Sequence, residues 1–390
     1  MNKIDKKLLW IYILSSSIYF TQGIEGLPGL SLLFYLKEKL HFSPSTIMYI
    51  GSITGIAWLI KPFWGYLCDN FLTKKTWILL SLLGSVLISV YFGMSAIITI
   101  PILILVMSLG NWNSAVRDVA NDGIMCVEGK DNQACDKIQA IQWTAITVAS
   151  IIVGLLGGYI ADHFTYQLGY LCLIPIYLII MGVVLRYKGS KEKRVDPSSP
   201  LATLISYKAL FTDKKFLIAC IFLFLYKYSP SFGTPLFFIQ RDVFKWSGQY
   251  MGTLGAIVSC FEIVGAIVFF KICKKINVQR WLYISVFLGA ITSLCYLYFT
   301  PITAIAYGVS FAVLGMFIHL IILSFMANST IKGKEATSFA LLCSISNLAA
   351  TSSSLSGAFL FPKIGLQPLI ILSAVTSFLC LPLISRLKIK

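Results

Sequence analysis

The chain has 390 residues, 57% of them hydrophobic, with a formal net charge of +16 and a mean hydropathy of +0.81. That composition excludes a water-soluble globular domain and a disordered chain, and makes lipid the solvent. The basic residues are scattered over short loops rather than gathered on one face, which argues against nucleic acid as the partner behind the charge.

Apolar runs long enough to cross a bilayer as helices fall at 9–36, 44–68, 76–94, 101–127, 138–161, 166–187, 216–240, 247–272, 280–299, 301–328, 336–361 and 367–386. The short alternating segments of membrane strands are missing. The expectation is an all-α integral membrane protein with twelve transmembrane helices. The first run is too long for a signal-peptide core and lacks a small-residue cleavage site. With the amino terminus in the cytoplasm, most of the 32 Lys and Arg lie in interior loops and termini. The opposite side carries Lys37, Lys39, Arg241, Lys245 and Lys363. Both termini are therefore expected to be cytoplasmic. The 10 cysteines sit mostly singly in apolar runs, and His41, His163 and His319 are far apart. No disulfide framework, metal site or cofactor is expected.

Polar residues inside the apolar runs carry the functional signal. Near the middle of the first helix, Gln22 and Glu25 are three residues apart and share a face. Lys61, before Pro62 in the second helix, reads as a structural residue that snorkels or pairs with an acid of helix 4. At the junction of helices 2 and 3, GYLCDNFLTKK places Gly65 and Asp69 ahead of Lys74 and Lys75. Gly65 permits close helix approach, and Asp69 is a candidate gating residue. Helix 4 is the most informative segment, because NWNSAVRDVANDGIMCVE embeds Arg117, Asp118, Asp122 and Glu128 in a membrane-length run. A charge at the bilayer centre costs about 2.5–3.5 kcal/mol on insertion scales, so such groups usually face a cavity and mark a pathway.

Asp118 and Asp122 are one turn apart on one face, a pairing in which a proton relieves like-charge repulsion; they are candidate proton-coupling residues. Arg117 cannot release its proton and suits an anion, its fork matching a carboxylate. Glu128, near the inner end of the helix, is a second gating candidate. Gly154, Gly157 and Gly158 in helix 5 form a small-residue packing stripe. Further along, Lys227 is central in helix 7, Glu262 in helix 8 and Asn347 in helix 11, and His319 lies about a turn past the middle of helix 10. Lys227 reads either as a substrate cation or as the partner of Glu262 in an interhelical ion pair. Glu262 is the third proton-coupling candidate, and Asn347 reads as a substrate contact or a helix bridge. His319 reads as a proton relay or a packing residue.

The longest polar stretch, 188–215, is basic and contains Pro197 and Pro200. It reads as a cytoplasmic linker, with a short surface helix at 201–211, between an amino-terminal half at 1–187 and a carboxy-terminal half at 216–390. The halves match weakly: Ser43, Gly51 and Trp77 correspond to Ser247, Gly255 and Trp281, and Ala140 and Gly157 to Ala340 and Gly357. Parallel six-helix repeats of this kind are similar to the major facilitator architecture. There, helices 1, 4, 7 and 10 line a central cavity, at the depth where the polar residues above recur.

Five stretches resemble the folate–biopterin transporter family within that superfamily: TQGIEGLPGLSLLFYLKEKLHFSPS in helix 1, WLIKPFWGYLCD before helix 3, RDVANDGIMCVEG in helix 4, YSPSFGTPLFFIQRDVFKWSG in helix 7 and KEATSFALLCSISNLAATSSSLSG in helix 11. Two departures stand out. The loop after Asp69 is the short NFLTKK, where the family commonly has a longer Pro/Gly/Arg-rich turn, and helix 4 reads ANDG where Ala-Asp-Ala is more usual. The resemblance implies a proton-linked carrier of folates, pterins or related compounds, some relatives carrying other metabolites such as S-adenosylmethionine.

The reading is a secondary transporter, not an enzyme, importing a folate- or pterin-like small molecule by alternating access with protons. Gln22 and Glu25 would meet the pterin's guanidine-like edge, and Arg117, Lys227 and Asn347 would contact the rest of the solute. No GxxxxGK[ST] loop is present to harness ATP. A monomer in an inner (cell) membrane is expected. The mixed-sign cavity also suits a zwitterion, such as an amino-acid derivative or peptidoglycan fragment. A receptor or structural protein without net flux is the alternative from another class.

Overall fold

In the computed structural model, residues 3–95, 99–131, 135–188, 210, 212–272, 276–331 and 335–387 are described. They form twelve membrane-length helices, several of them interrupted, and no strand. α1 is Lys3–Ile24, resumed after a turn as Gly29–Phe34. α2 is Pro44–Asn70 and α3 is Lys74–Met94. α4 is Ile100–Asp131. α5 runs as Cys135–Ile152, Val153–Gly157 and Gly158–His163, and α6 is Tyr166–Arg186. α7 comprises Lys214–Lys227 and Gly233–Asp242, and α8 is Gly248–Ile272. α9 is Val278–Cys295, α10 is Pro301–Asn328, α11 is Glu335–Ile364 and α12 is Leu366–Ile384.

Local chemistry sets the starts. Ser43, Thr73 and Asn277 each accept a hydrogen bond from the backbone N–H three residues on, and Asp213 from those of Lys215 and Phe216, satisfying donors that a first turn leaves open. Gly365, at φ +76°, ends α11 in the left-handed conformation that glycine adopts without strain. Among the described residues, eight helices are long and apolar enough to cross a membrane. The other four, α1, α4, α7 and α11, are those whose apolar runs are diluted by polar residues or broken.

Contacts divide the chain into two units. The first comprises Met1–His41, Ile60–Pro200 and Ser247–Ser259, the second Phe42–Leu59, Leu201–Trp246 and Cys260–Lys390. In the first unit, α1 packs along α5, and α3 packs against α6 and α4. A Cβ on Gly23 would stand 2.6 Å from the Ala149 Cβ, so α1 and α5 touch almost backbone to backbone. The glycine stripe of α5 does the same against the start of α8. A Cβ on Gly252 would collide with the Gly154 carbonyl, and one on Gly158 would lie 2.6 Å from that of Gly248. Asp162 then caps α8, accepting from the N–H groups of Gly248 at 2.6 Å and Gln249 at 2.7 Å.

In the second unit, α11 packs against α7 and the first segment of α2. Phe216, Phe222, Leu223, Leu282, Phe325 and Leu342 belong to its core. Where α7 breaks, the Ser229 N–H donates to Ser353 Oγ at 3.0 Å and the Ser231 N–H to the Ser353 carbonyl at 2.9 Å. The serine-rich stretch of α11 thus serves the backbone that α7 exposes, as apolar surroundings demand. Of the linker expected at 188–215, residues 189–209 and 211 lie outside the described residues, and with them most of the surface helix expected at 201–211.

Candidate functional site

Three charged residues stand at helix interruptions. Glu25 directly follows the first segment of α1, Lys61 opens the last segment of α2 beside Pro62, and Lys227 closes the first segment of α7. Broken helices within membranes are typical of binding sites, because their freed backbone and termini line cavities.

The first unit holds two polar layers on α4. In the upper layer Arg117, with none of its surface exposed, pairs with Glu25. Ser114 Oγ donates to Glu25 Oε2 at 2.8 Å, and Tyr177 Oη of α6 donates at 3.1 Å to Oε1, the oxygen that Arg117 holds. Arg117 also donates to Ser85 Oγ of α3 at 3.3 Å and to Ser114 Oγ at 3.3 Å. Glu25 thus accepts from three groups, and the buried guanidinium is balanced by one partly exposed carboxylate. In this arrangement Arg117 and Glu25 meet each other, whereas the sequence expectation gave each of them to the solute. Gln22 is half-buried, with no hydrogen bond from its amide among the described residues.

The second layer lies nearer the start of α1. Tyr19 precedes Glu25 by six residues, about 9 Å along a helix. Lys61 Nζ lies 2.6 Å from Asp118 Oδ2, and Tyr19 Oη donates to Asp122 Oδ1 at 3.2 Å. Asp118 is 4% exposed, whereas Asp122 is only partly buried. One turn further, Ser15 Oγ donates to Asn121 Oδ1 at 3.3 Å. The two aspartates therefore share a face and differ in their partners. Lys61 pairs with an α4 acid, one of its two expected placements.

The loop motif closes the same end of the unit. Asp69 pairs with Lys74 at 3.1 Å, and Lys75 donates to the carbonyls of Leu185 and Tyr187 at 2.9 and 2.8 Å, satisfying acceptors at the end of α6. A Cβ on Gly123 would stand 2.6 Å from Lys74 Cε, so the glycine of ANDG makes room for the lysine stem. The side chain of Glu128 lies outside the described residues.

In the second unit, Lys227 has no ion pair or hydrogen bond to its ammonium among the described residues, and His319 lies within its electrostatic reach. The ion pair between Lys227 and Glu262 does not form, and Glu262 stands half-buried without a charged partner among the described residues. Asn347 Nδ2 donates to the Trp58 carbonyl at 3.0 Å, where α2 leaves α-geometry; the amide bridges helices, the second of its two expected roles. Sequence reasoning missed Tyr19, Ser85, Ser114 and Tyr177. Tyr19 was reachable, since residues 15 and 19 share a face with Gln22, and Ser85 belongs to an evenly spaced row with Ser81 and Ser89 on α3, but Tyr177 is one of three tyrosines in α6 that sequence does not tell apart.

The sequence profile of the Major Facilitator Superfamily matches residues 11–341. A folate-biopterin transporter of Synechocystis sp. is 22% identical over 410 residues, covering 97% of this chain and 82% of that protein. Folate transporter 1 of Plasmodium falciparum is 24% identical, covering 90% and 73%. Among solved structures, a mutant of the nucleoside transporter NupG superposes with a TM-score of 0.77 at 13% identity, covering 97% of this chain and 100% of that one. A D-xylose-proton symporter gives 0.73 at 12% identity, covering 96% and 98%. At these identities the two structures speak for the fold alone.

Proposed function

The chain belongs to the Major Facilitator Superfamily, and on that premise we propose that this multi-pass membrane transporter imports a folate- or pterin-like solute by alternating access, driven by protons. The halves 1–187 and 216–390 would move about the linker 188–215, with Asp69 and Glu128 at the inner gate. Both termini would face the cytoplasm, and the membrane would be the cell's inner membrane.

The observation that carries the reading is the ionic network on α4, where five charged groups from three helices meet inside an apolar bundle. Isolated packing needs no such network, since buried ion pairs add little net stability over apolar side chains. The names of the relatives point to folates and biopterin as the solute class. A folate carries carboxylates, and Lys227, without an ion pair among the described residues, stands at a helix break to receive one. Arg117 already holds Glu25, so a solute anion reaches it only by displacing that carboxylate. Gln22, with its amide unengaged, is the better α1 candidate for a pterin edge.

Reconstitution tests the proposal. Purified protein in proteoliposomes takes up labelled folic acid, faster with an inward proton gradient, and Lys227→Gln loses most of that uptake. Wild-type protein that is folded yet moves no folate overturns the solute class and favours a zwitterionic metabolite, which the mixed-sign residues also suit.

A further inference from the structure

We propose that Lys61 decides which of the two α4 aspartates carries the coupling proton: it engages Asp118 and leaves Asp122 to bind and release the proton. This rests on the reading of the protein as a proton-driven carrier and names the site of coupling within it.

The geometry separates the two acids. Asp118 has an ammonium 2.6 Å away, the short contact of a charge-assisted hydrogen bond, and almost no exposed surface. Removing its charge would leave a buried ammonium alone, a costly arrangement. Asp122, four residues on, has a neutral phenol at 3.2 Å and no ammonium so close, and it is less buried than Asp118.

The charge count gives the same answer. Facing Asp122 among the described residues are Tyr19 from α1, Lys61 from α2 and Asp118 on its own helix. Lys74, which crosses Gly123 one position on, is already paired with Asp69. One lysine and two aspartates leave a net charge of −1, which a single proton on Asp122 brings to zero. Low-dielectric surroundings favour the neutral cluster, so proton binding and release switch it between two states. Nor is Lys61 placed to stabilise its helix. It opens the segment Lys61–Asn70, where a cation opposes the helix dipole, so its position is explained by Asp118 and not by α2. Lys61 is a positioning residue: it acts on the proton through the acid it holds.

Charge-balanced variants test this in the full-length protein. Uptake of labelled folic acid into proteoliposomes is read with an inward gradient of one pH unit, which drives about tenfold accumulation at one proton per solute. Infrared difference spectroscopy of the same protein follows the carboxylic acid C=O band through a pH titration and needs no solute. Asp122→Asn should abolish both accumulation and the band, and Asp122→Glu should restore both. Asp118→Asn should also abolish accumulation, because the freed Lys61 then pairs with Asp122. Adding Lys61→Met to Asp118→Asn leaves Asp122 as the one charge and should recover accumulation and band. A structural role for Lys61 predicts no such rescue. Adding Lys61→Met to Asp122→Asn should not recover either, and recovery there instead would make Asp118 the carrier and overturn the proposal. A C=O titration spectrum that is the same in Asp122→Asn as in wild type overturns it as well. Absence of folate flux in wild type would count against the solute reading, while the infrared arm still decides between the two acids.

Discussion

At the scale of single residues, the buried guanidinium of Arg117 governs the upper layer of the site. Its charge is balanced by Glu25, and removing one partner of a buried pair leaves the other uncompensated. Glu25→Gln should destabilise the protein by about 3 kcal/mol, at the low end for buried pairs because Glu25 keeps some solvent. Adding Arg117→Met should return part of that stability, so that the double variant loses less than the two single losses summed. Thermal unfolding in detergent measures both; strict additivity would mean that the pair contributes nothing as a pair. Residues of this kind were readable from sequence because a charge in an apolar run has few innocent explanations. Their pairing was not, since the partner of Arg117 is set by which turn of α1 faces α4. Asn347 shows the limit most clearly: sequence leaves a central amide open between solute contact and helix bridge, and only the structure gives the Trp58 carbonyl as a partner of its Nδ2.

At the scale of elements, hydropathy located the twelve long helices among the described residues yet misplaced several limits. The run expected at 9–36 begins as a helix at Lys3, and the one expected at 101–127 extends to Asp131, because hydrogen bonding continues where lipid contact has ended. The run expected at 216–240 spans the interruption of α7, which a hydropathy average crosses without notice although Pro230 marks it. The glycine stripe of α5, by contrast, was legible, and its partners on α8 complete it. There the neighbouring atom is backbone and has nowhere to move. Gly252→Val should therefore lower stability by about 1–3 kcal/mol or more, the range for overpacked interiors. Gly123→Ala, which meets only the flexible end of Lys74, should cost far less. Melting temperatures that rank the two variants the other way round would contradict the close α5–α8 contact.

At the scale of the whole molecule, the distribution of charge is the feature that sequence conveys best. The positive residues are set by insertion rather than by packing, so no tertiary knowledge is needed to read them. Single cysteines introduced at Lys3 and near the carboxy terminus should react with impermeant thiol reagents only from the cytoplasmic face of cells. One at Lys363 should react from the outside. Labelling with the opposite pattern would invert the orientation and exchange the sides assigned to Asp69 and Glu128. The division into two units was less legible. Residues 42–59 and 247–259 group with helices distant in sequence, which a weak repeat in the primary structure does not announce.

The cap that Asp162 places on α8 has a consequence in time. First-turn amides of a helix ordinarily belong to the solvent and trade their hydrogens with it freely. Those of Gly248 and Gln249 are held by a carboxylate from α5, so their hydrogens leave only when that hold opens. Two backbone hydrogens thus keep a record of how often the start of α8 and the end of α5 come apart, and they keep it in the resting protein with no solute added.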